Sequence, residues 1–137
     1  MRKAGLFVAL GFVGVFGFVA SGAEKPPDDY VKAMKDISAA AGALGKIEAT
    51  DFDGAAKLGA TIKSSMLIVQ TYWRTKGVND ALEQANAAIK AIDDLGVSAG
   101  MSSTDGIEVA VKDLRATCGA CHTAHRERLP DGTYMIK

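Results

Sequence analysis

Cysteine is nearly absent, with only Cys118 and Cys121 in 137 residues. Both fall in one short motif, so a multi-disulfide framework is excluded and their purpose must be local. Neither follows the apolar N-terminal stretch, which leaves no lipid-attachment cysteine there. Charge of one sign is also lacking, since 16 basic residues face 16 acidic ones. Without a basic surplus, nothing in the chain attracts nucleic acid. Internal repeats, low-complexity linkers and long runs alternating apolar with polar residues are missing too. At the usual ~100–200 residues per domain, the length allows one domain.

What is present begins with MRKAGLFVALGFVGVFGFVASGA. Arg2 and Lys3 precede a 17-residue apolar run from Ala4 to Ala20, and Ser21-Gly22-Ala23 supply the small residues a signal peptidase needs. That order is the pattern of a secretory signal peptide, with cleavage expected before Glu24. The reading divides the chain into a signal peptide, 1–23, and a mature domain, 24–137, exported to the periplasm without stable membrane insertion. An uncleaved anchor is the competing reading, because the run lies at the lower limit for spanning a bilayer. The polar Glu24-Lys25-Pro26-Pro27-Asp28-Asp29 that follows favours cleavage. Losing Arg2 and Lys3 leaves 14 basic residues against 16 acidic, a formal charge of −2.

Along the mature chain apolar residues recur at steps of three and four, which predicts an all-α protein. A first helix is expected from Asp28 or Asp29 to about Ile47, with Tyr30, Met34, Ile37, Ala41 and Leu44 inward. A second runs from an N-cap at Asp51 to about Lys76, its stripe being Phe52, Ala56, Gly59, Ile62, Met66, Val69 and Trp73, and Gly77 ends it. Asn79 or Asp80 caps a third, with Leu82, Ala85, Ile89 and Ile92 inward, finishing before Gly96. The fourth starts after Ser103-Thr104-Asp105 and carries Ile107, Val111, Leu114, Cys118, His122 and His125 at the same spacing. Pro130-Asp131-Gly132 then turns the chain into a short tail, Tyr134–Lys137, that can fold over the bundle end. Four such helices with short connections pack most simply as an up-down-up-down bundle. Their inward faces are rich in Ala and Gly, so side chains alone fill the interior poorly, and a flat apolar cofactor would fill the gap.

Cys118-Gly119-Ala120-Cys121-His122 carries the chemistry. C-x-x-C-H is the haem c attachment sequence, in which two thiols add to two vinyl groups and the adjacent imidazole coordinates iron. On a helix Cys118 and His122 are one turn apart on one face and Cys121 stands beside the histidine, so three anchors meet one side of a macrocycle. A dithiol redox pair is the first alternative, but that chemistry usually sits at a helix N-terminus in a βαβ context. Zinc is the second; ligands from two consecutive turns of one helix cannot surround an ion tetrahedrally.

An exported chain of four amphipathic helices with C-x-x-C-H in the last resembles the class II c-type cytochromes, the cytochrome c′ family, over essentially the whole mature length. The most specific stretch is Cys118–Arg126, where the family commonly shows an aromatic residue and then Arg after C-x-x-C-H. Arg126 matches, and the resemblance gives it a role in compensating charge at a haem propionate or on the proximal side; otherwise it is a solvated arginine. His125 departs from the usual aromatic. It lies on the same side of the haem as His122 and cannot reach the opposite iron face, so it reads as a packing or partly exposed residue, the alternative being a residue that tunes the haem.

The resemblance also implies that function turns on the sixth iron position. Family members with an apolar residue there bind nitric oxide or carbon monoxide, and members with methionine there are six-coordinate electron carriers. Val31-Lys32-Ala33-Met34-Lys35-Asp36-Ile37 resembles the segment that supplies this residue and places Met34 at the distal iron. By spacing alone Met34 reads first as a core residue, as inward methionines usually are, and it is the resemblance that favours ligation. Tyr30 stands where the family often has Arg, and Met66 fits the pattern less well. Tyr30, Phe52, Trp73 and Leu114 are candidates for haem packing or ordinary core.

These readings converge on a non-enzymatic, monohaem, one-electron carrier with one covalent haem c, ligated by His122 and Met34, docking weakly with redox partner proteins. The alternative is a five-coordinate protein binding nitric oxide or carbon monoxide. A haem peroxidase or nitric oxide reductase would need acid–base groups beside the open iron, and the inward face of the first helix offers none beside Met34. Homodimerisation through the first two helices is common in the resembling family, and Ala39, Ala40, Ala55 and Gly59 would permit close approach.

Overall fold

The computed structural model describes residues 22–137. The expected signal peptide therefore lies almost wholly outside the described residues. Four helices follow in order: α1 (Asp28–Leu44), α2 (Phe52–Lys76), α3 (Asn79–Gly100) and α4 (Thr104–His125). Each packs on its sequence neighbour, α1 on α2, α2 on α3 and α3 on α4, giving a bundle-like body in which α1 and α4 scarcely touch. Among the described residues no helix is long and apolar enough to cross a membrane.

The helix ends have local causes. Asp51 accepts a hydrogen bond from the Gly54 amide at 2.9 Å, and Ser103 accepts one from Gly106 at 3.1 Å, so α2 and α4 begin on side-chain caps. Gly77 closes α2 in the left-handed region (φ 71°), where a side chain would be strained. Two boundaries differ from expectation. α1 stops at Leu44, three residues short of Ile47, where Gly45 caps it. α3 starts after Val78, with no side-chain cap from Asn79 or Asp80, and runs through Gly96 to Gly100. Gly96 faces open space, so its cost is only the ~1 kcal/mol of a helical glycine, and continuation buries Ala99.

The tail is the larger correction to an all-helical picture. Arg126–Arg128 (β1) and Tyr134–Ile136 (β2) form an antiparallel hairpin, with Arg126 opposite Ile136 and Arg128 opposite Tyr134. Glu24 pairs with Ile136 on the other side of β2, through amide-to-carbonyl bonds of 2.8 and 2.9 Å. Three-residue strands are too short to display a period of two, and Ile136 is the one hairpin residue driven into the core.

Among the described residues nine of the twenty buried apolar side chains are alanines, so the helices approach closely and contribute little volume of their own. A Cβ added at Gly59 would lie 2.9 Å from Leu95 Cδ2, which fixes how closely α2 and α3 approach. Ala40, Ala55 and Gly59 are thus interior residues, and of the four small residues expected at a second-copy contact only Ala39 is exposed. The buried face of α2 carries Ala55 where the periodicity suggested Ala56.

Candidate functional site

The gap between α1 and α4 is a cavity. Its volume is about 160 Å³, smaller than the ~300–1,000 Å³ usual for small-molecule and cofactor pockets, so a macrocycle would enter only if the walls part. α1 lines it with Met34, Ile37, Ser38 and Ala41, and α2 with Met66 and Val69. α3 contributes Gln84, Ala85 and Ala88, while α4 presents Thr117, Cys118, Cys121 and His122. The alanines of α3 leave the room, since a larger side chain at Ala85 or Ala88 would project into it.

Cys118 and His122 reach the cavity because they are four apart on α4, and Cys121 joins them from beside His122. Both cysteines are free and half-buried. Burial raises the Cys118 thiol above its ordinary value. Burial, then Cys118 and Asp80, pushes Cys121 up to about 11, so both sulfurs are protonated at neutral pH. His122 shifts the other way: burial, and then the Arg126 guanidinium, lowers its proton affinity and keeps the imidazole neutral. A neutral imidazole has the free ring nitrogen that a metal requires.

Met34 stands half-buried on the α1 wall, and Met66, 5 % exposed, stands on the α2 wall. The cavity therefore brings together the two thiols, the imidazole and the methionine that the sequence singled out, with a second thioether nearby. Its titratable lining groups are Cys118, Cys121 and His122, and no carboxylate, Lys or Arg faces inward. Among the described residues no cluster of three or more His, Cys, Asp or Glu is arranged to hold a bare metal ion.

Other expected contacts lie elsewhere. His125 leaves the cavity, its ring 5.1 Å from that of Trp73 and its Nε2 2.9 Å from Asp80 Oδ2. Arg126 caps the end of α4 and holds its guanidinium 4.4 Å from the Tyr134 ring centroid. Tyr30, Trp73 and Leu114 are buried core and Phe52 packs against that core, none of them on the cavity wall. Tyr30 and Trp73 instead form an aromatic cluster with Tyr72, with ring centroids 4.7 Å (Tyr30–Tyr72), 5.0 Å (Tyr72–Trp73) and 6.2 Å (Tyr30–Trp73) apart. Trp73 Nε1 is buried without a hydrogen-bond partner; the Tyr30 hydroxyl is within electrostatic reach but falls short of bonding geometry.

No family model, curated protein or solved structure matches this chain.

The donor chemistry of the lining suits a haem, though the cavity's volume as it stands is too small for one: a C-x-x-C-H segment faces inward, the walls are mostly apolar, and a thioether stands on a different helix from the imidazole. Gln84 and Thr117, which sequence reasoning did not single out, are its polar wall residues on α3 and α4. Their signal was spacing, Gln84 being four before Ala88 and Thr117 four before Cys121.

Proposed function

We propose that this chain is a periplasmic class II c-type cytochrome, a relative of cytochrome c′ that carries one haem c and works as a one-electron carrier. The observation that carries the reading is the convergence of Cys118, Cys121, His122 and Met34 on one apolar cavity. In this reading the signal peptide is removed near Ala23 and the helices run up-down-up-down. Sequential packing and connections as short as Gly77-Val78 support that topology.

Cys118 and Cys121 would hold the haem by thioether bonds, His122 would ligate its iron from α4, and Met34 would supply the second axial ligand from α1. When bound, the haem supplies an Fe(III)/Fe(II) couple, and a methionine ligand raises its potential relative to other ligand sets. His122 stays neutral by burial and keeps its lone pair available. Ile37, Val69, Ala85 and Ala88 keep water from the interior, so little solvent has to reorganise around a change of charge. Arg126 offsets negative charge on the His122 side of the helix. The lining offers no acid–base group beyond the attachment motif itself, which supports a carrier over a peroxidase or nitric oxide reductase.

A five-coordinate, gas-binding cytochrome is the second reading. The weak contact between α1 and α4 favours it, because a wall that can yield admits a diatomic ligand. The optical spectrum of the ferric holoprotein separates the two. The carrier reading expects a low-spin spectrum with the weak long-wavelength iron–thioether band and slow carbon monoxide binding after reduction. A high-spin spectrum with rapid carbon monoxide binding would replace it with the second reading.

A further inference from the structure

Met34 belongs to the cavity wall, whereas the residues that anchor α1 to the core are Tyr30, Ala33, Ile37, Ala40 and Leu44. The direction in which Met34 points therefore depends on how α1 is rotated about its own axis. Ala33 and Ala40 are too small to fix that rotation, and Leu44 lies at the far end. Near Met34 the large anchors are Ile37, three residues later and itself on the cavity wall, and Tyr30, about one turn earlier, whose ring reaches across to α2. That ring packs against Tyr72 and Trp73.

This end of α1 is held by Tyr30 from within the helix and by Glu24, four residues before it. Pro27 at its N-cap provides no side-chain hydrogen bond. The opposing wall is itself braced, because Glu24 accepts a hydrogen bond from the Tyr72 hydroxyl at 2.5 Å and contacts Lys76 Nζ at 2.6 Å. The same residue pairs through its backbone with Ile136, so the strand before α1, the hairpin and α2 form one frame around the Tyr30 ring.

We infer that Tyr30 is a positioning residue for Met34: packed against the Tyr72–Trp73 pair of α2, it sets, with Ile37, the rotation of α1 that aims the thioether into the cavity. The inference rests on the cytochrome reading and adds to it the element that decides between a closed and an open distal site. Loss of that packing lets α1 turn and swings Met34 away, while Cys118, Cys121 and His122 on α4 are untouched. Tyr30 acts through its ring, the part that packs on Tyr72 and Trp73.

The test uses the holoprotein with Tyr30→Phe, Tyr30→Ala and Tyr30→Leu, read by the iron–thioether band, carbon monoxide affinity and thermal unfolding. Tyr30→Phe keeps the band. Tyr30→Ala loses most of it and raises carbon monoxide affinity about tenfold, because apparent affinity scales with the fraction of molecules whose distal site is open. Tyr30→Leu, which keeps apolar volume without the flat ring, gives the same result should the alanine variant not fold. A folded Ala or Leu variant with a lower unfolding temperature but an unchanged band and affinity overturns the inference, since it leaves Tyr30 a stability role only. A wild-type band that ignores Met34→Ala overturns the ligand assignment and this inference together. A band that depends on Met34 but not on Tyr30 overturns this inference alone.

Discussion

Met34 on α1 and His122 on α4 line one cavity although the helices that carry them scarcely touch. Whatever binds between them becomes the bridge between the first and last helices. The sequence placed both residues on inward stripes; the structure adds that the space between those stripes is open.

The two methionines of the cavity should separate cleanly by substitution. Met34→Ala is expected to convert a low-spin ferric haem to high spin and to open the iron to carbon monoxide. Met66→Ala removes a side chain that is 5 % exposed, so it should cost stability, on the order of 2–5 kcal/mol for a buried methionine, and leave the spectrum as it was. Optical spectra and thermal melts of the two variants check this, and interchanged results would move the ligand to Met66.

His125 is predicted to be a packing residue outside the haem chemistry. Its ring packs at a tilt against Trp73 and pairs with Asp80, whose side chain is 69 % exposed. Asp80→Asn should therefore lower stability by about 1 kcal/mol or less, the range for exposed ion pairs, without altering haem attachment or the axial ligands. A changed ferric spectrum in Asp80→Asn would bring His125 back into the site.

Acid should release the strap that Glu24 makes. Its carboxyl lies below the ordinary value of 4.5 because Lys76, and then Tyr72, hydrogen-bond the ionised form. A depressed carboxyl contributes stability that is complete above the unfolded value and is lost as pH falls through the folded one. Pairing of Glu24 with Ile136 should hold at neutral pH and loosen below about pH 4.5. An NMR titration following the Glu24 carboxyl and the Ile136 amide reads this directly, and an Ile136 amide that ignores that transition would contradict it.

Much of the fold was legible because its determinants are local. Asp51, Gly77 and Ser103 mark helix ends through hydrogen bonds and backbone preferences that operate within a few residues. Gly96 misled because a glycine facing solvent in a helix is cheap when the next turn buries Ala99. The hairpin escaped notice since Arg126–Arg128 and Tyr134–Ile136 are held by pairing with each other and with Glu24, more than a hundred residues away. At the site, Cys118, Cys121 and His122 were readable from spacing on one helix. The turn of His125 toward Asp80 and Trp73 was not, because it depends on how α4 meets α2 and α3.

The claim on which the account depends is covalent attachment at Cys118 and Cys121. The most direct measurement is the denatured intact mass of the exported, purified chain, recorded with its absorption spectrum, beside the Cys118→Ala/Cys121→Ala double variant. The account predicts a wild-type chain heavier than its polypeptide by one haem, with a Soret band that survives denaturation, and a double variant at bare polypeptide mass. Wild-type protein at bare mass, or a double variant that still carries the added mass, would contradict it.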